Sequence, residues 1–175
     1  KMEVGRSLAM TLVVEMKSAK LLGLSLVAGL SIRSCLGLPD IRLKWPNDLM
    51  LDENKIAGIL VESKSMGSDA VVAVGIGINL FHFQNSSYRG IQKKLDALDL
   101  GERLLRDFQT FSERGFKVFQ PAYENILWKK GMIVTLHADG EDKQIKIVGV
   151  STEGLLLTED NGYLSMTEQG EIVNG

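Results

Sequence analysis

Three short stretches of this 175-residue chain gather residue types from which a reaction site can be built. Lys44-Trp45-Pro46-Asn47-Asp48 brings a cation, an amide and a carboxylate into what reads as one turn. Lys55 opens the next segment, and Ala57-Gly58 just beyond it offers little side-chain volume. Gly75-Ile76-Gly77-Ile78-Asn79 sets two glycines inside a β-branched run. Glycine weakens a strand unless a ligand or another element must approach its backbone. Each stretch also has a plain structural reading. Asn47-Asp48 can simply cap a chain reversal, Lys55 can guard a strand edge, and the glycines can mark a twisted or bulged strand. The glycines do not open a helix as G-x-G-x-x-G, so a nicotinamide cofactor is excluded.

The elements that must position these residues follow from hydrophobic pattern. Ser7 to Met16 is rich in β-branched and apolar residues and reads as a strand. Leu21 to Leu36 reads as a helix apolar on most faces, stopped by Gly37 with Pro39 beyond. From Asp40 to Trp45, Ile41, Leu43 and Trp45 alternate with Arg42 and Lys44, which predicts a half-exposed strand with both cations on the outside. Leu49–Leu51 and Lys55–Ser63 form a hairpin about the polar turn Asp52-Glu53-Asn54. Lys64–Asp69 reads as a loop, Ala70–Leu80 as a buried strand, Phe81–Gly90 as an irregular loop and Ile91–Leu98 as a short helix. Leu104, Leu105, Phe108 and Phe111 give Glu102–Arg114 an amphipathic helical stripe, ended by Gly115. The stripe resumes at Phe116, Phe119, Tyr123 and Ile126, with Pro121 as a kink. After Trp128 the character changes to five short β runs, the pattern of a small SH3-like barrel appended to an α/β core.

Composition bounds the function. With 45% hydrophobic and 24% charged residues the chain can bury a core without staples, and a net charge of −2 gives no nucleic-acid-binding surface. One cysteine and two histidines cannot furnish a Cys/His zinc cage or an intramolecular disulfide, which sets a reducing, cytoplasmic expectation. Cys35 reads as a small core residue, and His82 and His137 as surface or loop residues. No segment approaches the roughly 20 apolar residues of a membrane span. The chain opens on Lys1 without a signal segment and runs directly into a strand, so we read it as beginning inside a domain.

In this order and spacing, the three stretches resemble the catalytic core of biotin protein ligases. The matching segments are GLSLVAGL (Gly23–Leu30), KWPNDLML (Lys44–Leu51), KIAGILVE (Lys55–Glu62) and VGIGINL (Val74–Leu80). The tail from Trp128, with GLLLTEDNG and a late GEI, is similar to the small C-terminal domain of that family. The resemblance implies an α+β fold: a mixed β-sheet with flanking helices, like class II aminoacyl-tRNA synthetases, over residues 1–127, and an SH3-like barrel over 128–175. It implies an enzyme that activates biotin with MgATP to biotinyl-5′-AMP and passes the biotinyl group to a lysine of biotin carboxyl carrier protein. A homodimer remains open; nucleic acid and membrane partners are not expected.

The resemblance also assigns roles. Lys55 would stand between the biotin carboxylate and the α-phosphate, whose repulsion at ~4 Å is about 1 kcal/mol in water and several times larger in a dry site. Lys44 would add a second cation, and Asp48 would orient the acceptor lysine and take its proton. Gly58, Leu60, Gly75 and Gly77 would line the biotin pocket with Lys55. Asn47, Asn79 and Phe81 would serve the ATP or adenylate with Lys55, Asn79 near the phosphate or Mg²⁺. Phe81, Phe83 or Tyr88 would pack on adenine from the 81–90 loop, and no metal is held by side chains. Independently of the resemblance, Trp128 reads as a structural staple between the preceding helix and the barrel.

The family's glycine- and arginine-rich biotin loop and its Ser-Thr segment lie upstream of the first strand and are not in this sequence; Gly5-Arg6-Ser7 is not mapped onto them. The DNA-binding helix-turn-helix domain of some members is likewise absent from it. Two rivals remain from the sequence alone: a non-catalytic homologue that holds biotin or its adenylate as a sensor, and a lipoate-type ligase of the same broad fold.

Overall fold

The structure, a computed structural model, describes residues 6–17, 21–81 and 90–173. β1 (Ser7–Lys17) alternates as its sequence requires: Leu8, Met10, Leu12, Val14 and Met16 face inward, while Ala9, Thr11, Val13 and Glu15 face out. α1 (Leu24–Leu36) buries Leu24, Leu26, Val27, Ile32 and Leu36 and stops at Gly37, whose φ of 60° lets its N–H reach the Arg33 carbonyl. β2 (Ile41–Lys44), β3 (Asp48–Leu51), β4 (Asn54–Met66) and β5 (Asp69–Asn79) follow. The turn between β2 and β3 carries a cis Trp45–Pro46 peptide.

These strands form one five-stranded sheet in the order β1-β5-β4-β3-β2, and every strand pair in it is antiparallel. This corrects the expected mixed sheet. The turns at Pro46–Asn47, Asp52–Glu53 and Gly67–Ser68 are too short for a parallel crossover, which needs a dozen residues or more. The α1 connection joins β1 to β2, the two edges of the sheet, so it creates no parallel pair either. β4 runs on to Met66 where a loop was expected, because it stays paired with β5 as far as Asp69.

α2 (Ala97–Arg114) packs Leu100, Leu104, Phe108 and Phe111 into the core. The helix expected over Ile91–Leu98 is not formed there. Asp96 accepts from the Leu98 N–H at 2.7 Å, so it caps α2 and ends the irregular run before it. Across the α1–α2 contact, buried Ser31 donates to Asp107 at 2.7 Å, and Arg103 pairs with the same carboxylate. A 3₁₀ turn (Phe116–Val118) leads to α3 (Gln120–Glu124), where Pro121 lies in the first turn, the position it favours, rather than kinking a longer helix.

The last segment forms β6 (Ile133–Ala138), β7 (Glu141–Val150), β8 (Leu156–Asp160), β9 (Tyr163–Thr167) and β10 (Glu171–Val173). They make a second antiparallel sheet, ordered β10-β6-β7-β8-β9. Trp128 joins the second part of the chain to the first by bonding to the β2–β3 hairpin instead of to a helix. Its N–H donates to the Leu43 carbonyl at 2.9 Å and its indole to the Asp52 carbonyl at 3.2 Å. α3 holds the other side: Glu124 accepts from the Val150 N–H at 3.1 Å, and Gln120 donates to the Val150 carbonyl at 3.0 Å. Cys35 is only half-buried, and His137 pairs with Asp142 on the surface. His82 lies outside the described residues.

Candidate active site

The first sheet has one face against α1 and α2 and another whose centre carries almost no side chains. Register makes this visible. Lys44 pairs with Asp48, Asp48 with Gly58, Gly58 with Gly77 and Gly77 with Ala9, so one row crosses all five strands. The neighbouring row is Leu60–Gly75–Thr11. Directly paired residues of antiparallel strands share a face, so both rows lie on the side away from the helices. The absence of Cβ atoms at 58, 75 and 77 leaves a shallow floor of bare backbone, and the cleft above it has a volume of about 570 Å³. Asn47, Lys55, Leu60 and Thr11 contribute to its walls.

Lys55 reaches this face through an irregularity of β4. Leu49 pairs with Ala57 and Met50 with Lys55, so Ile56 is an extra residue without an opposite number. Such a bulge re-aims the side chains on one side of it. Lys55 consequently lies over Gly58, and a Cβ at 58 would stand 3.1 Å from its Cε and 3.2 Å from its Nζ. The ammonium ends 2.6 Å from Asp48 Oδ1, an ion pair without hydrogen-bond alignment. Asp48 is buried, whereas the Lys55 side chain is 54% exposed. A fixed carboxylate thus holds a lysine that still has room to move.

Lys44 departs from expectation. Arg42 is exposed, but Lys44 is buried, because the segment after α3 covers that end of the sheet; the Trp128 ring centre lies 5.5 Å from its Nζ. Burial lowers the Lys44 pKa, with Asp48 and Glu171 opposing that shift and Lys55 and Lys129 adding to it. Buried Tyr123 shares a small void with Asp48 and Lys44, and burial pushes its hydroxyl pKa far up.

The turn residue Asn47 is fixed on both sides. Its amide donates to the Ile59 carbonyl at 2.9 Å, and its own carbonyl accepts from the Ile59 N–H at 2.9 Å. Asn79 shares the alternation of Gly75 and Gly77, but it sits at the end of β5 and is not among the residues lining the cleft. Phe81 is partly buried against the core and does not line the cleft. Phe83 and Tyr88 lie outside the described residues. The structure therefore brings together Lys44, Asn47, Asp48, Lys55, Gly58, Leu60, Gly75 and Gly77. Sequence reasoning missed Ala9 and Thr11, whose signal was present as small residues at alternate positions of β1.

Chemically, the floor suits a flat ligand laid against strand backbone, with a cation at one edge to meet an anionic group. The model of the biotin/lipoate A/B protein ligase family matches residues 4–79, which hold all of these residues. The bifunctional ligase/repressor BirA of Escherichia coli is 31% identical over 91% of this chain and 55% of its own length. The biotin–[acetyl-CoA-carboxylase] ligase of Paracoccus denitrificans is 52% identical over a shorter stretch, 33% of this chain and 26% of that relative. The chain spans about half the length of the first of these relatives (55%). Among solved structures, the biotin protein ligase of Aquifex aeolicus in complex with biotin and ATP superposes with a TM-score of 0.78 at 26% identity, over 96% of this chain and 78% of that one. With the KWPND turn, the KIAG lysine and the glycine floor on one sheet face, residues 4–79 carry a domain of the biotin/lipoate A/B protein ligase family, and the chain as a whole is similar to biotin protein ligases.

Proposed function

We propose that the protein is an ATP-dependent biotin–protein ligase of the biotin–[acetyl-CoA-carboxylase] type. In the first step a biotin carboxylate oxygen bonds to the α-phosphorus of ATP, and pyrophosphate leaves with the broken P–O pair. In the second, the amine of a carrier-protein lysine bonds to the acyl carbon of biotinyl-5′-AMP, AMP leaves, and the amine gives up a proton. The observation that carries this reading is the Lys55 ammonium held by buried Asp48 at the rim of a backbone floor.

Lys55 reduces the repulsion between the two anions of the first step and meets charge developing on the phosphoryl oxygens. Lys44, behind Asp48 in the same row, adds positive potential. Biotin lies over Gly58, Gly75 and Gly77, with Leu60 at its edge. The acceptor amine, with a free pKa of about 10.4, arrives protonated. Asp48 orients it and takes its proton once Lys55 has turned to the nucleotide. Asn47, Asn79 and Phe81 serve the adenylate end, and magnesium enters as part of the MgATP substrate.

In this reading residues 1–127 are a catalytic core of the class II aminoacyl-tRNA synthetase type and residues 128–175 an SH3-like domain. The acceptor is biotin carboxyl carrier protein, the location is cytoplasmic, and nucleic acid is not a partner. Among the described residues no helix is long and apolar enough to cross a membrane.

The test is transfer of labelled biotin to a carrier domain with and without MgATP, using the protein at its natural full length. ATP-dependent labelling that Lys55→Ala lowers by about a hundredfold or more is the expected result. Biotin binding without labelling would leave a sensor, and no biotin binding would leave only a shared fold.

A further inference from the structure

The KWPND turn is held from outside its own hairpin. The Trp45 indole, 2% exposed, donates its N–H to the Gly154 carbonyl at 3.1 Å, across 109 residues of sequence. The next carbonyl, that of Pro46, accepts from the Ser25 hydroxyl at 2.9 Å. Both anchors converge on one junction. Gly23 caps α1 at φ 88°, Gly154 lies between β7 and β8 at φ 100°, and a Cβ on Gly154 would stand 3.0 Å from the Gly23 Cα. Only glycine at both positions allows so close a backbone approach.

The Gly154 carbonyl is a fixed acceptor. Its turn is closed by Ser151, whose hydroxyl accepts from the Glu153 and Leu155 N–H groups at 3.2 Å each, while the Gly154 N–H donates to the Ser151 carbonyl at 3.1 Å. The chain from this junction to the reacting groups is short. Trp45 and Pro46 are pinned to the C-terminal sheet and α1, Asn47 is pinned to Ile59, and Asp48 follows at once with Lys55 on its carboxylate.

We propose that Trp45 is a positioning residue: its bond to Gly154 makes the β7–β8 turn part of the frame that aims Asp48 and Lys55 at the cleft. The role rests on the ligase reading given above. It assigns the C-terminal sheet a mechanical share in adenylate formation without any contact with substrate.

Trp45→Phe keeps most of the ring and removes the donor. Ser31→Ala, which breaks a buried hydrogen bond between α1 and α2 away from the turn, controls for general loosening. In the full-length protein, biotin-dependent ATP–pyrophosphate exchange should fall about tenfold in kcat for Trp45→Phe, the size of one lost neutral hydrogen bond. Its KM for biotin should stay within about twofold, and Ser31→Ala should keep both constants. Amide hydrogen exchange at 47–49 should quicken about tenfold in Trp45→Phe and not in Ser31→Ala. A wild-type protein with no exchange activity would defeat the ligase reading, while the amide measurement would still judge the clamp. Unchanged amide exchange in Trp45→Phe, unchanged kcat, or equal losses in the two variants would each overturn the proposal.

Discussion

The Lys55 ammonium lies 2.6 Å from the Asp48 carboxylate, and the two groups are unequally free: Asp48 is buried, while Lys55 is more than half exposed. With its lysine open to solvent, such a pair is screened on one side and contributes only modestly to stability. Holding a mobile cation over a ligand floor is a matter of readiness, since the lysine needs only to rotate away from a partner that stays.

Gly58 is the seat of that lysine. A Cβ there would meet the Lys55 side chain at 3.1–3.2 Å and Asp48 Oδ1 at 3.6 Å. Gly58→Ala should therefore displace Lys55 by a few tenths of an ångström. We expect kcat for adenylate formation to fall about tenfold, consistent with the sensitivity of catalysis to small misplacements, and stability to change by less than about 0.5 kcal/mol. Pyrophosphate exchange and a urea titration would read the two effects separately.

Gly75 separates folding from binding in the opposite direction. A Cβ at 75 finds its nearest neighbours at 3.7 Å and 3.8 Å, an ordinary contact, so a side chain fits the sheet. Gly75→Val should hold or raise the melting temperature, since valine suits a strand better than glycine. The isopropyl group would stand on the floor of the cleft. Biotin affinity measured by calorimetry should drop about 10–100-fold, the range of a 1–3 kcal/mol overpacking cost.

Glu124 sets a pH dependence on the joint between α3 and β7. Burial raises its pKa, but Lys130 at 2.9 Å and the Val150 N–H at 3.1 Å outweigh that and hold the carboxyl below its ordinary value of 4.5. A lowered pKa in the folded state adds stability above the unfolded value, and this is lost as pH falls through the folded one. Glu124→Gln should cost about 1 kcal/mol at pH 7. The gap from wild type should narrow as pH is lowered below the ordinary value of 4.5, read by urea unfolding at pH 7 and in acid.

Much of this was legible in the sequence, for identifiable reasons. Strands β1 to β5 announced themselves through alternation and β-branching, and the five C-terminal strands through short apolar runs between glycine turns. Gly75 and Gly77 could be read as a floor because glycine inside a strand calls for an explanation. The burial of Lys44 could not be read, because alternation within β2 does not reveal that Trp128, 84 residues later, covers one end of the outer face. The helix expected over 91–98 failed because a capping aspartate at 96 outweighs a few apolar residues. The Trp45–Gly154 bond joins residues too far apart for any local pattern to pair.

The unpaired Ile56 has an arithmetic consequence. On a regular strand Lys55 and Gly58, three positions apart, would fall on opposite sides, one toward ligand and one toward the helices. The bulge makes an odd spacing behave as an even one. Parity, more than the identity of any one side chain, decides where the ammonium ends up. Straightening the bulge without changing the number of residues would preserve every chemical group of the site and still point the lysine into the core. The interval from Lys55 to Gly58 therefore depends on its irregular pairing with β3 as much as on those two residues themselves.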